Sequence, residues 1–400
     1  MIKSITLLGS SSGRNAGDAA LMSAIMDSVD QQLGRRVLYE IPTIKPEFVW
    51  QNYQNRVRPL GLMPWNMAVK IFGLPTYQSI MRTDMTLIFD AVLFDRALYN
   101  PLFNFLSTFY LLLPFAKKAG KKLGMYDCGL GPVPTEAGRK MLKSVCELMD
   151  FITIRDRGSL RVYEELGAKN DFVYNTADAA VLASAVDEKE ANDILNGLGL
   201  DGEKPILAIN VNRYLNTWAQ TGQAALSKEE FVRTFVGGIN KFLERENALD
   251  ILYVITQHDD IELTLEIKRL LNHQGKQAVL SNKEFSHYQI KAVLARCSLL
   301  FAMRLHAMIL ASSMLTPIAG LAYLPKCEYY FELFDILEYS LNFKDFSVEN
   351  VGKTLSRAWE QRRSIGGKIA ARMPELKKLA HKPAELIGLI DEGKELPILK

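Results

Sequence analysis

Cysteine and histidine are scarce, at 4 and 5 of 400 residues. Cys128, Cys146, Cys297 and Cys327 show no CxxC spacing, and they read as reduced, mostly buried thiols rather than a disulfide frame. No HExxH pattern and no paired Cys/His cluster occurs, which argues against zinc and sets the expected metal complement at none. Excess charge of one sign is missing as well. The 48 Lys and Arg against 45 Asp and Glu leave a formal +3, too little and too dispersed for a nucleic-acid footprint. Any anionic ligand must therefore be held locally. The loop after the first apolar run fits neither GxGxxG nor GxxxxGK, and nothing supports the nucleophile elbow of a serine hydrolase.

The first apolar run, Ser4-Ile5-Thr6-Leu7-Leu8-Gly9, is too short for a signal-peptide core, so cytoplasmic residence is the default expectation. One strongly apolar stretch, 101–116 (PLFNFLSTFYLLLPFA), stands beside Lys117, Lys118, Lys121 and Lys122. It is too short to span a bilayer. Two readings stay open for it: a buried helix with a solvated, Lys-rich end, or a segment lying at an anionic membrane surface.

What is present is alternation. Short apolar runs end in polar or Gly-rich turns and lead into longer helical patterns, which implies parallel sheets. The first run, 2–8, is followed by Gly9-Ser10-Ser11-Ser12-Gly13 and a helix from about Asp18 with Leu21, Ile25 and Val29 on one face. Further strands are predicted at 37–41, 86–94, 122–127, 151–155 and 171–174, then at 205–211, 251–256, 278–280, 298–302 and 317–322. The charged, Gly-containing stretch 187–204 separates the two sets. A chain of this length and 48% hydrophobic content exceeds one ordinary core. Two Rossmann-like α/β domains are expected, 1–190 and 200–350, with terminal helices over 351–400 whose return to the first domain is left open.

Open parallel sheets bind ligands beyond the carboxyl ends of their strands, and four loops there carry suggestive residues. Arg14-Asn15-Ala16-Gly17-Asp18 lies between strand and helix, where backbone N–H groups and the helix dipole favour an anion; Asp18 serves equally well as an N-cap. Arg155, closing an apolar run before Asp156-Arg157-Gly158-Ser159, can grip a carboxylate or phosphate with both arms, or form an ion pair with Asp156. Asp178, after 172–174, is either a cap or a polar site residue. The fourth loop is the most informative: Leu299-Leu300-Phe301-Ala302-Met303 runs straight into Arg304-Leu305-His306-Ala307. Arginine cannot shed its charge, so at the mouth of an apolar strand it needs an anionic partner. Histidine beside it suits proton transfer, although an isolated one in an apolar setting is commonly structural. One strand later, Tyr323-Leu324-Pro325-Lys326 brings a second cation to the same sheet edge. His258 follows another strand, in a plausible cleft loop with Asp259 and Asp260, whereas His273, His287 and His381 read as surface positions.

The set Asn15-Ala16-Gly17-Asp18, Arg155-Asp156 with Ser159, Asp178, Met303-Arg304-Leu305-His306-Ala307 and Tyr323-Leu324-Pro325-Lys326 resembles the polysaccharide pyruvyl transferases in order and spacing over residues 1–330. That family is similar in fold to two-domain GT-B glycosyltransferases. The resemblance implies two Rossmann-like domains facing a central cleft, acceptor side first and donor side second. It implies transfer of the enolpyruvyl unit of phosphoenolpyruvate onto a sugar as a ketal, with that donor as a substrate and no separate cofactor. Arg304 and Leu305 would meet the donor, His306 would act as acid or base, and Arg155 matches an upstream arginine. Lys326, Asn15, Asp18, Asp178 and His258 join them as candidate substrate-binding residues. The family's Gly-rich turn is replaced here by Ile88-Phe89-Asp90-Ala91-Val92-Leu93-Phe94-Asp95, where Asp95 matches a following Asp and is a candidate for proton handling. This departure implies a divergent acceptor and leaves loss of activity open. A glycan acceptor is the implied partner, its lipid linkage and the oligomeric state being left open. Two other readings remain: a nucleotide-sugar glycosyltransferase, and a catalytically inactive binding protein at the membrane.

Overall fold

The computed structural model describes residues 1–62, 73–95, 105–213 and 226–398. Two compact units divide the chain. Unit 1 comprises Met1–Gly13, Asp18–Ala183 and Leu376–Lys400, and unit 2 comprises Arg14–Gly17 and Ser184–Glu375.

Unit 1 is a sheet of β1 (Ser4–Leu8), β2 (Leu38–Thr43), β3 (Val57–Gly61), β4 (Met85–Phe89), β5 (Lys122–Cys128), β6 (Phe151–Ile154) and β7 (Val173–Asn175). Between them run α1 (Ala16–Leu33), α2 (Pro46–Asn52), α3 (Gly73–Arg82), α4 (Phe105–Lys118), α5 (Glu136–Leu148) and α6 (Arg157–Leu166). The spatial order is β3-β2-β1-β4-β5-β6-β7 with every pairing parallel. Order therefore reverses between β1 and β4, where the loops diverge and leave room for a ligand. β4 (MTLIF) and β6 (FITI) are buried at every position, as strands covered on both faces must be. Ile88, Met125 and Ile152 pack with Leu106, Phe109 and Leu113 of α4 and Leu142 and Val145 of α5, each such side chain contributing about 1.5–3 kcal/mol on burial.

Two sequence expectations need correction here. β3 (VRPLG) escaped notice because Arg58 and Pro59 break its apolar pattern; it lies at the sheet edge, where a residue without an N–H is tolerated. The strand predicted over 86–94 stops at Phe89, because Asp90 turns the chain at φ 67°. Val92 and Leu93 are buried in the core as loop residues, which is why they read as strand.

Unit 2 begins with α7 (Glu188–Gly197) and builds its sheet from β8 (Ile206–Asn210), β9 (Asp250–Ile255), β10 (Gln277–Ser281), β11 (Leu299–Ala302), β12 (Ile318–Leu321) and the two-residue β13 (Ser340–Leu341). Its helices continue with α8 (Lys228–Leu243), α9 (Ile261–Leu270), α10 (His287–Leu294), α11 (Leu305–Ser313), α12 (Pro325–Glu332), α13 (Val348–Glu360) and α14 (Arg362–Asp391). The order β10-β9-β8-β11-β12-β13 is again all parallel, with its reversal between β8 and β11. Serines start two of these helices: Ser227 and Ser286 form capping boxes with Glu230 and Gln289. Within α14 the chain passes from unit 2 to unit 1. There Asp391 accepts hydrogen bonds from Arg35 at 2.7 Å and from the backbone of Ile2.

All four cysteines are free and buried. His287, expected at the surface, is buried at the first position of α10 with its ring 3.8 Å from that of Tyr288, centroid to centroid. Its polar neighbours in sequence gave no sign of that.

Candidate active site

Arg304, Leu305 and His306 are partly exposed between the buried strand β11 and the buried body of α11. They stand where the strand order of unit 2 reverses. Asn210, at the end of β8, holds the junction. Its Oδ1 accepts from the Arg304 backbone N–H at 3.1 Å, and its Nδ2 donates to the Val254 carbonyl at 2.8 Å, tying β8, β9 and β11 together. Arg304 occupies the N-cap of α11 without any side-chain cap. The helix N-terminus at this junction carries the positive end of the helix dipole, which favours an anion.

The anionic partner that Arg304 requires is within the chain. Asp260, fully buried, receives both arms of the guanidinium, Nη2 at 2.8 Å and Nε as a second, short bond. A third hydrogen bond reaches the same carboxylate from the Arg213 backbone at 2.9 Å. The result is a guanidinium fixed in one plane by a two-armed ion pair. Sequence reasoning noted Asp260 only as a neighbour of His258, since nothing local couples it to an arginine 44 positions away. Beside the pair, the Tyr323 phenol is hydrogen-bonded to Asn212, and burial raises its pKa above the ordinary tyrosine value.

The loop Arg14–Gly17 belongs to this same unit. Ala16 N–H donates to the Thr256 carbonyl at 2.8 Å and His258 N–H to the Arg14 carbonyl at 3.0 Å. Asn15 bridges Gln257 in antiparallel fashion. The Asn15 Oδ1 accepts from Gly17 N–H at 2.8 Å, so Asn15, not Asp18, caps α1; Asp18 is half-buried in the first turn. A Cβ on Gly17 would lie 2.1 Å from His306 Cγ, so only glycine leaves the imidazole its place. Arg14 reaches Asp259 at 3.1 Å. Burial lowers the His258 pKa below the ordinary imidazole value, against a hydrogen bond to the Asn282 backbone that raises it. Its Nε2 has no hydrogen-bond partner among the described residues. Lys326 lies half-buried in the first turn of α12, which follows β12, the neighbour of β11.

Arg155 stands in unit 1, at the carboxyl end of β6. It is buried and pairs with Asp178 at 2.7 Å and Asp90 at 3.5 Å, while its sequence neighbour Asp156 caps α6 through Ser159 N–H at 2.8 Å. Asp178 does two jobs: Oδ2 meets Arg155, and Oδ1 caps a short 3₁₀ turn through Ala180 N–H at 3.0 Å. Asp127 completes the group, fully buried, with Oδ1 accepting from Thr176 Oγ1 at 2.7 Å. Burial pushes its carboxyl well above the usual carboxylate range. Asp90, just after β4, and Asp127, next to last in the adjacent β5, have φ 67° and 49°, a left-handed conformation that Asp tolerates better than most side chains. Asp90 thereby fills the turn that the resemblance would give to glycine. Asp95 is buried further along, where its Oδ2 accepts from both the backbone and the hydroxyl of Thr135 at 2.8 Å and braces the start of α5.

By letters alone, Gly9-Ser10-Ser11-Ser12-Gly13 spells GxSxG. Its Ser11 hydroxyl donates to the Pro42 carbonyl at 3.1 Å, and no histidine is involved in that bond. The structure thus gathers Asn15, His258, Arg304, Leu305 and His306 in unit 2 with Lys326 on the same sheet edge, and places Asp18, Asp95, Arg155 and Asp178 in unit 1.

The sequence profile of the polysaccharide pyruvyl transferases matches residues 15–325, from the Asn15 loop to the start of α12. The chain belongs to this family. Family membership makes the protein a transferase of polysaccharide biosynthesis. It is 23% identical over 416 residues to the amylovoran biosynthesis protein AmsJ of Erwinia amylovora, covering 92% of this chain and 98% of that one. Among solved structures, S. aureus MnaA with UDP covers 100% of both chains with a TM-score of 0.68 at 12% identity. The UDP-GlcNAc 2-epimerase of Neisseria meningitidis bound to UDP-GlcNAc covers 98% of this chain and 100% of its own, with a TM-score of 0.62 at 10% identity. Likeness at such identities establishes the fold, two parallel-sheet α/β domains of the GT-B kind.

Proposed function

We propose that this pyruvyl transferase uses phosphoenolpyruvate as its donor and places the enolpyruvyl unit on a sugar of a polysaccharide or its precursor as a ketal, acting in the cytoplasm. The observation that carries this reading is the start of α11, where Arg304, locked on Asp260, stands two residues from His306. Phosphoenolpyruvate presents a carboxylate and a phosphate on one small carbon frame. A fixed guanidinium, the positive end of a helix and the Lys326 ammonium on the same sheet edge suit two anionic groups held side by side.

The reaction involves no net redox change. A proton adds to C3, which becomes the methyl group, and C2 becomes electron-poor. One sugar hydroxyl adds to C2 and loses its proton, the C2–O bond to phosphate breaks to release inorganic phosphate, and a second hydroxyl closes the ketal with loss of its own proton. His306 is the group assigned to these proton movements. In unit 1 the charge of Arg155 is already matched by Asp178 and Asp90. We assign that edge to the acceptor, whose hydroxyls the two carboxylates can orient, while Asp95 supports α5 and His258 and Asn15 shape the donor side.

Calorimetry with phosphoenolpyruvate, paired with phosphate release in the presence of candidate glycans, tests the proposal. Arg304→Ala is expected to abolish donor binding. His306→Gln is expected to keep donor affinity and lower turnover about 10²–10⁴-fold. Release of a nucleoside diphosphate from a nucleotide sugar, without binding of phosphoenolpyruvate by the native chain, would replace this reading with a glycosyltransferase.

A further inference from the structure

Helix α4 carries an inner and an outer face, and both are apolar. Leu106, Phe109, Leu113 and Ala116 are buried in the core of unit 1. On the opposite side Leu111 is 61% exposed and Phe115 59% exposed, with Pro114 exposed between them. A surface helix in water places charged or polar residues at those positions; from Phe109 to Ala116 this one places none beyond the Tyr110 hydroxyl. The patch continues onto α3, where Tyr77 meets Phe115 edge to face with centroids 6.4 Å apart and Leu74 is 55% exposed.

The stripe of Leu111 and Phe115 runs on to Lys118, and the chain then turns through Gly120 at φ 74°. Hydrogen bonds from Gly120 N–H to the Lys117 carbonyl and from Lys121 N–H to the Ala116 carbonyl, both 3.0 Å, fix that turn. Four ammonium groups are thereby gathered at one end of the patch. Lys117 and Lys122 share a single carboxylate, Asp150, at 3.1 and 3.7 Å. Lys121 donates to the Thr83 carbonyl at 2.8 Å, with Asp84 near enough to feel its charge. Lys118 points to solvent. Two acidic groups against four basic ones leave the rim positive.

We propose that the outer face of α4, with Leu74 and Tyr77 of α3, is a docking surface for an anionic lipid bilayer. Exposed leucine and aromatic side chains beside lysines are what an interfacial helix offers to acyl chains and acidic headgroups. At 14 residues, α4 lies in the interface rather than crossing it. The basic rim matches an acidic membrane surface, to which each lysine near it adds attraction. The proposal is independent of which donor or acceptor the enzyme uses.

The test is co-flotation of the full chain with vesicles of phosphatidylcholine alone and with about one third phosphatidylglycerol. The native protein is expected to float with the phosphatidylglycerol vesicles and far less with phosphatidylcholine alone. Leu111→Ser with Phe115→Ser is expected to lower the bound fraction about tenfold or more, with only a small fall in the thermal unfolding midpoint, because both side chains are more than half exposed and Phe115 gives up its edge contact with Tyr77. Lys118→Glu is expected to weaken the preference for phosphatidylglycerol. A Phe115→Trp protein supplies a second reading, with emission shifting to the blue on those vesicles. Absence of native flotation, flotation insensitive to the serine pair, or a native dimer that light scattering shows the serine pair dissolving would each overturn the proposal.

Discussion

Arg304 keeps its charge at any physiological pH, so the carboxylate it faces decides what else it can hold. Both arms on the buried Asp260 give it direction at the expense of part of its charge. Asp260→Asn is therefore expected to weaken the grip on geometry more than on charge, raising the Michaelis constant for the donor while leaving Arg304 in place. Removing one partner of a pair this buried also destabilises, by about 3 kcal/mol, which urea unfolding would register; unchanged donor kinetics would end the positioning role of Asp260. Residues of this kind are unevenly legible in sequence. Arg304 and His306 stood out because charged side chains at the mouth of an apolar strand are conspicuous, whereas Gly17 owes its identity to a histidine 289 positions later, which no local pattern reveals. His287 is a second such residue. Burial, with Lys291 one turn away, holds its pKa down to about 3. The unfolded chain takes up this proton near pH 6.5 and the folded chain does not until about pH 3, so stability is full above 6.5 and falls with pH across that window. The loss reaches about 4 kcal/mol at the lower limit. Urea midpoints measured from pH 7 to pH 4 should drop, and His287→Phe should flatten the profile; a parallel profile in the variant would assign the drop to other groups.

Elements are legible where packing and local preference agree. β4, β6 and β11 are continuous apolar runs because both faces of a parallel sheet are covered, and Ser227 and Ser286 announce α8 and α10 through their caps. β3 and β13 are weak in sequence because an edge needs little apolar surface and two residues carry no pattern. Helix α11, which presents the site, shows a conflict between the two levels. It closes with Leu315 N–H on the Ser312 carbonyl at 2.9 Å and Thr316 N–H on the Ala311 carbonyl at 3.1 Å. That ending places Leu315 at φ 66°, the left-handed position that glycine favours. The side chain is 48% exposed, so its removal forfeits little burial. Relief of about 1–2 kcal/mol of backbone strain, less about 0.5–1 kcal/mol for the looser unfolded chain, predicts that Leu315→Gly gains stability on the order of 0.5–1 kcal/mol. A fall in the urea midpoint would mean that the leucine packs better than its exposure indicates.

At the scale of the whole molecule the same strand order occurs twice, with a reversal between β1 and β4 in one unit and between β8 and β11 in the other. Alternation along the sequence announces parallel sheets, but it cannot reveal that Arg14–Gly17, lying between β1 and the body of α1, belongs with unit 2. That allegiance rests on hydrogen bonds to Thr256 and His258 and on the glycine that makes space for His306. It yields a prediction that separates the two units. If the donor sits at the start of α11, phosphoenolpyruvate at about 100 times its dissociation constant stabilises the state that binds it by about 2.7 kcal/mol. Slowed hydrogen exchange should then appear at 303–308, 210–213 and 256–260 and, far from these in sequence, at 15–17. Segments 127–129 and 153–155, around Arg155, should be unaffected by donor alone and respond to a glycan acceptor. Donor protection confined to the Arg155 segments would move the donor to unit 1 and reverse the assignment of the two sheet edges. Protection at 303–308 without 15–17 would keep the donor at α11 and remove the Asn15 loop from its site.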